Sequence, residues 1–315
     1  MSLLPSRSTL HSQSMQFSPD RFTLSRRQWF AVSPLLGSLA AVPFARALQT
    51  PAPKRLSPPA TGSIPVAFPI SKGAVLIDFS GPWEVFQDVN IPSREDQVFH
   101  LYTVAEDMKP VTASGGMKIL PNYTFADAPA PKVIVIPAQS GNDAMLNWIR
   151  KSFPGTDVTM SVCTGAFLLA QTGLLDGKPA TTHHGAYAHF AMQYGSKVQL
   201  KRGARFVDDG QVASAGGLTS GIDLAMHVVE RYFGRDVAIN TANYMEYQGE
   251  GWKDESGLAN AAYLTPANDS QDPVCHMPVD ASAVNHSEFR GKTYYFCSKD
   301  CKAAFDGSPE SFVNR

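Results

Sequence analysis

Along the middle of the chain, short apolar and β-branched runs alternate with stretches of helical periodicity. Gly73-Ala-Val-Leu-Ile-Asp78 reads as a strand, and a helix is expected to open at Pro82, whose fixed φ suits a first helical position. Lys132-Val-Ile-Val-Ile-Pro137 reads as a second strand and Ala144 to Lys151 as a helix. Val158-Thr-Met-Ser-Val162 runs directly into the helical pattern Gly165-Ala-Phe-Leu-Leu-Ala170, and Gln211-Val-Ala-Ser214 precedes a long amphipathic stretch from Ser220 to Phe233. Continuously apolar strands separated by helices predict an α/β fold: a doubly wound, mainly parallel sheet with helices on both faces. No internal repeat is visible.

The pattern also sets domain limits. Residues 1–47 contain Ser25-Arg26-Arg27-Gln28-Trp29-Phe30, a modestly apolar run to Phe44, and the small-x-small sequence Ala45-Arg46-Ala47. They resemble a twin-arginine signal peptide, which implies export through the twin-arginine translocase to the periplasm or beyond. The apolar run is too short for a stable membrane span, which needs about twenty residues. Residues 48–63, rich in Pro, Ser, Thr and Ala, read as a linker; 64–250 form the α/β domain, 251–270 a second polar linker and 271–315 a small C-terminal module. At 43% hydrophobic and 17% charged residues the chain is ordinarily globular. Without residues 1–47 it keeps 22 basic and 27 acidic residues, a charge of −5. With no Lys/Arg cluster, a nucleic-acid partner is excluded.

Of the four cysteines, Cys163 stands alone and three fall in the last 41 residues. Cys163 lies where an apolar strand stops and a helix starts, with Gly165 permitting close packing: a strand-turn-helix elbow. A helix N-terminus is expected to lower its pKa and favour the thiolate nucleophile. The alternative is a small buried hydrophobe. Asp78, expected to close a strand, would face the same pocket beyond the carboxyl ends of the sheet, or would simply cap the Asp-Phe-Ser-Gly-Pro turn. Asp223 and His227, four apart on the last long helix, read as a solvated helix face.

Four ordered blocks carry a family resemblance: Leu76-Ile-Asp-Phe-Ser-Gly-Pro-Trp-Glu-Val-Phe86, Ser161-Val-Cys-Thr-Gly-Ala-Phe-Leu-Leu-Ala170 with Gly173-Leu-Leu-Asp-Gly177, Ala180-Thr-Thr-His183, and Ser220-Gly-Ile-Asp-Leu-Ala225. Together they resemble the PfpI/ThiJ superfamily, and within it the branch shared by isonitrile hydratases and the N-terminal domains of some AraC-type regulators. The resemblance implies a lyase that adds water to an isocyanide, with Cys163, Asp78 and Thr164 as the catalytic trio, a small-molecule substrate, no cofactor at that site and a homodimer. Asp78 is expected to be held neutral by burial or by a neighbouring acid such as Glu84. Ala138, Gln139 and His183 are further pocket candidates. The chain departs from the superfamily at Pro137-Ala138-Gln139-Ser140, where Pro-Gly-Gly is usual, and at His184, where the branch has Trp. Thr164 occupies the place where peptidase-like and glyoxalase-like relatives carry a histidine. No helix-turn-helix pattern follows residue 250.

The C-terminal module, with Asp272-Pro-Val-Cys-His-Met277 and Gly291-Lys-Thr-Tyr-Tyr-Phe-Cys-Ser-Lys-Asp-Cys301, resembles a YHS domain. Cys275, Cys297 and Cys301, with His276 or His286, would form a soft-metal site for one ion of zinc, copper or iron. The alternative is a disulfide with one cysteine left over. Beside the hydratase reading therefore stands a non-catalytic exported ligand sensor or metal-handling protein.

Overall fold

The computed structural model describes residues 55–253, 269–275, 277, 279–280 and 282–313. The signal-peptide reading, much of both linkers and the His276 ligand candidate lie outside the described residues.

The central sheet has strand order β10-β11-β7-β6-β1-β2-β5. Its strands are β1 (Ile64–Pro69), β2 (Phe99–Ala105), β5 (Tyr123–Thr124), β6 (Val133–Ile136), β7 (Val158–Ser161), β10 (Phe206–Asp208) and β11 (Val212–Ala215). Two short pairs stand apart from it: β3 (Val111–Thr112) with β4 (Lys118–Ile119), and β8 (Pro179–Ala180) with β9 (Gln199–Leu200). Every pairing in the large sheet is parallel except β10 with β11. Alternation divides each strand between two cores: Val66, Phe68, Val133 and Val135 face one, and Ala67, Ile134 and Ile136 the other. The first is covered by α1 (Leu76–Gln87), α5 (Ser220–Phe233) and α6 (Arg235–Tyr244), the second by α2 (Asp143–Ser152), α3 (Gly165–Gln171) and α4 (Tyr187–Tyr194). The sheet is therefore doubly wound.

The expected first strand is displaced. Gly73–Asp78 is not extended: Gly73 has φ 80°, and α1 begins at Leu76, whose N–H is capped by Ser114 Oγ at 3.1 Å. The strand is β1, nine residues earlier, masked by Pro65 and Pro69, residue types that ordinarily argue against a central strand. Asp78 accordingly sits in the first turn of α1, and Pro82 lies inside that helix rather than at its start. The solvated-face reading of Asp223 and His227 also fails, because both are buried. Asp223 accepts from Arg205 Nε at 2.7 Å and Tyr247 Oη at 3.0 Å; His227 Nε2 lies 2.9 Å from Asp208 Oδ2, which also meets Arg231 Nη1 at 3.0 Å. Among the described residues, no helix is long and apolar enough to cross a membrane.

Gly165 is required by packing. A Cβ there would stand 2.2 Å from the Ile136 carbonyl oxygen and 2.9 Å from the Pro137 carbonyl carbon, both backbone atoms that cannot swing away. Gly165→Ala is expected to destabilise the domain by about 1–3 kcal/mol, the usual cost of overpacking, seen as an earlier midpoint in urea unfolding.

The C-terminal module is a hairpin, β12 (Asn285–Phe289) with β13 (Lys292–Phe296), followed by helices Lys299–Gly307 and Glu310–Val313. Its tight turn places Arg290 and Gly291 at φ 51° and 77°, the positive values a two-residue hairpin loop needs. Val274, Cys275, Phe296, Cys301 and Phe305 form its small core, into which Ala188 of α4 also packs.

Candidate functional site

Cys163 occupies the turn between β7 and α3 with φ 58°, a left-handed conformation that costs a non-glycine residue about 1–3 kcal/mol. The backbone is pinned on both sides. Cys163 N–H donates to the Gly216 carbonyl at 2.8 Å, and Thr182 Oγ1 donates to the Cys163 carbonyl at 2.9 Å. Cys163 is 8% exposed, and its sulfur receives the backbone N–H groups of Thr164 and Leu218 and faces the Asp78 carboxyl. Leu218 is itself left-handed, at φ 51°.

Asp78 is fully buried. Its Oδ2 accepts the Ala138 N–H at 3.1 Å, whereas the buried Oδ1 has no hydrogen-bond partner among the described residues. Burial pushes the carboxyl up to about 6, opposed by the Ala138 N–H and the Cys163 thiol. Burial, then the Asp78 charge, push Cys163 up to about 11 against the Thr164 and Leu218 N–H groups. Desolvation thus overrides the expected lowering by the seven-residue α3. Near neutral pH the pair holds one proton between sulfur and carboxyl: burial raises Asp78 as expected, and raises Cys163 so that the thiol has a proton to pass to the carboxylate.

The other candidates divide. Thr164, half-buried at the start of α3, presents its N–H to sulfur. The Ala138 N–H is used by Asp78. Gln139 braces the loop that lacks the usual glycines: its Oε1 accepts from Ser71 N at 2.5 Å and Ser71 Oγ at 3.0 Å, and its Nε2 donates to the Pro69 carbonyl at 2.8 Å. His183 Nδ1 accepts the Gly185 N–H at 3.1 Å while its ring lies against Gly217, and burial lowers its pKa. Glu84 is exposed, bonded to Gln87, and is not among the groups that shift Asp78. Leu218 escaped the sequence reading because a backbone donor leaves no side-chain signature.

In the module, Asp272, Cys275, Cys297 and Cys301 bring one ligand atom each within 4.8 Å of one another. Cys275 Sγ is 3.4 Å from Cys297 Sγ, which is 3.8 Å from Cys301 Sγ. Zinc bound tetrahedrally to thiolates at about 2.3 Å would set sulfurs about 3.8 Å apart, so the donor set and spacing fit a soft metal. The thiols share protons unevenly: donation from Cys275 lowers Cys301 and raises Cys275, and burial pushes Cys297 up to about 12. Asp272, fully buried, is the fourth group of the cluster among the described residues, to which His276 does not belong. Its carboxylate accepts the N–H groups of Val274 at 2.7 Å and Cys297 at 2.9 Å, which fastens the first cysteine loop to the second. An Asp that accepts the N–H two residues on is ordinary turn chemistry, and Asp272-Pro-Val-Cys275 carries that signal. His286 is exposed on β12, outside this cluster.

A doubly wound sheet with a strained cysteine elbow facing a buried acid defines a class, and comparison with known proteins places the chain in it. Residues 65–231 match the DJ-1/PfpI family, and the chain belongs to that family. Residues 270–315 match the YHS domain. The chain is 35% identical over 177 residues to an isonitrile hydratase of Pseudomonas putida, covering 54% of this chain and 73% of that protein. It is 28% identical over 152 residues to the HTH-type transcriptional regulator CdhR of Pseudomonas aeruginosa, covering 46% and 44%. A ThiJ/PfpI family protein from Pseudomonas syringae shares the fold, with TM-score 0.53 at 22% identity over 75% of this chain and 90% of that one.

Proposed function

We propose that the α/β domain is an isonitrile hydratase-like cysteine enzyme that converts an isocyanide to an N-substituted formamide. The reading rests on one observation above all: the buried Cys163 sulfur faces the buried Asp78 carboxyl and two backbone N–H donors, in a chain 35% identical to an isonitrile hydratase. As sulfur attacks the terminal carbon of R–N≡C, its proton passes to Asp78 and from there to that same carbon, giving a thioimidate, R–N=CH–S–Cys163. Asp78 then takes a proton from water as the oxygen adds to this carbon. Asp78 passes that proton to the nitrogen, then carries the proton of the new hydroxyl to sulfur as the C–S bond breaks, so that R–NH–CHO leaves and the thiol is restored. The Thr164 and Leu218 N–H groups stabilise the sulfur anion at attack and at departure. Mass spectrometry of protein quenched during turnover tests this: a substrate-derived mass on the Cys163 peptide is expected.

A second reading is favoured by the match to a transcriptional regulator: a domain that binds its ligand without turnover. Saturable isocyanide binding with no formamide produced would select it.

The module is read as a metal centre held by Cys275, Cys297 and Cys301, with Asp272 orienting the cysteine loops and available as a fourth ligand. Metal uptake must displace the thiol protons, so affinity is expected to rise with pH. The full chain should take up close to one equivalent of zinc, and Cys297→Ser should weaken binding by an order of magnitude or more in a chelator-competition titration. The Arg26-Arg27 pattern is read as an export signal. Replacing both by Lys is expected to leave unprocessed chain in the cytoplasm, visible by fractionation and intact mass.

A further inference from the structure

We propose that the C-terminal module is one wall of the Cys163 site, positioning the segment from Thr182 to His189 against the cysteine elbow, and that a metal ion in its thiolate cluster sets how firmly that wall is held. The metal part rests on the proposed metal centre. The positional part rests on contacts made by a single short stretch of chain.

One end of that stretch holds the cysteine. Thr182 Oγ1 bonds the Cys163 carbonyl at 2.9 Å, and the His183 ring is so close to Gly217 that a Cβ there would stand 2.4 Å from its Cδ2. Gly217 sits between Gly216, whose carbonyl takes the Cys163 N–H, and Leu218, whose N–H meets the sulfur. The other end holds the module. Met277 Cγ lies 4.0 Å from where a Gly185 Cβ would be, and Ala188 is buried among Val274, Cys275, Phe296, Cys301 and Phe305. His189 Nδ1 lies 3.5 Å from Asp300 Oδ2, in the residue preceding Cys301. Two of the three thiols therefore pack with α4, whose chain leads within a few residues to the groups that fix Cys163.

The docking is tight at Ala188 but not throughout. A crevice of about 430 Å³, lined by Ala188, Ala191, Met192, Arg202, Ala304 and Phe312, remains between α4 and the module. A contact that is close-packed at one point and open beside it has room to reseat, which is how small changes in one element become shifts in another. Bound metal would lock the loop carrying Cys275 to the helix carrying Cys301 and so present Ala188 with one rigid surface. Without metal, the loop keeps the Asp272 hydrogen bonds and its place in the small core.

The experiment uses the full chain and zinc as probe. Alkylation of Cys163 by N-ethylmaleimide, followed peptide by peptide so that the module's own thiols do not interfere, is measured with zinc and after chelation, together with hydrogen exchange over residues 182–190. Zinc is expected to protect that segment and to slow Cys163 alkylation by about fivefold or more, the lower end of ordinary coupling between linked sites. Two variants that spare every metal ligand separate coupling from simple folding. Ala188→Glu places a charge in the docking contact, and His189→Glu sets like charges where His189 and Asp300 now meet. The latter pair is half-exposed and should not disturb folding. Either should still take up zinc, while Cys163 alkylation becomes indifferent to it. Zinc uptake with unchanged alkylation and exchange in the native chain overturns the coupling and leaves the metal reading standing. Absence of zinc uptake overturns the metal reading and the metal's part here. Unchanged Cys163 reactivity in both variants would then overturn the wall itself.

Discussion

Cys163→Ala is expected to abolish formation of formamide from a test isocyanide, with no covalent adduct at any substrate concentration. The loss should not come from unfolding. The substitution removes one sulfur from a site that keeps its backbone bonds to Gly216 and Thr182, so a stability cost of about 1 kcal/mol, typical of single substitutions, is the expected ceiling. The pH dependence of the native chain reports the same chemistry. The reactive form is the pair holding one proton between sulfur and carboxyl, so kcat/KM should rise through about 6 as Asp78 loses its proton and fall through about 11 as Cys163 loses its own. A profile flat between pH 5 and 8 would remove Asp78 from the mechanism.

Asp78→Asn is expected to cost roughly two to four orders of magnitude in turnover, the usual contribution of a positioned proton donor and acceptor, and at the same time to stabilise the fold. The amide keeps an oxygen for the Ala138 N–H but cannot carry the thiol proton. The stability gain follows from the raised carboxyl. In the unfolded chain Asp78 titrates near 3.8 and in the folded one near 6, so the folded state is favoured below the lower value and loses that advantage as pH climbs to the upper one. Above pH 6 the buried carboxylate costs up to about 3 kcal/mol. Asn removes this cost, so the variant should melt later than the native chain at pH 8 and no later at pH 4. Reduced turnover with reduced stability at pH 8 would instead indicate a structural carboxylate.

How far the sequence could be read depended on where each signal was written. β6, β7, β11 and α5 were legible because their apolar runs are uninterrupted and their ends are marked by Pro137, Gly165 and Gly234. β1 was not, because Pro65 and Pro69 spoil its pattern while Gly73–Asp78 imitates one; the long-range pairing of β1 with both β2 and β6 decides the matter, and no local window contains it. At the site, the elbow cysteine, its glycine and the acid were recognisable as side chains. Their energetics were not: the helix terminus suggested a low thiol pKa, and only three-dimensional burial reverses the sign. Gln139 looked like a missing glycine and is a brace, because its partners Ser71 and Pro69 are distant in sequence. Asp272 was passed over in favour of histidines, the more familiar ligands, although the turn it makes was readable.

Cys163 and Leu218 meet at one sulfur, each in a backbone conformation that glycine or asparagine would adopt at less expense. In a mutant library selected for thermal endurance alone, these two positions should drift toward Gly and Asn, whereas selection for turnover should hold Cys at 163 and tolerate any residue at 218 that keeps its N–H in place. Proline, which has no N–H to give, should vanish from 218 under the second regime. The divergence between the two surviving populations would mark the reactive centre without inhibitor or crystal.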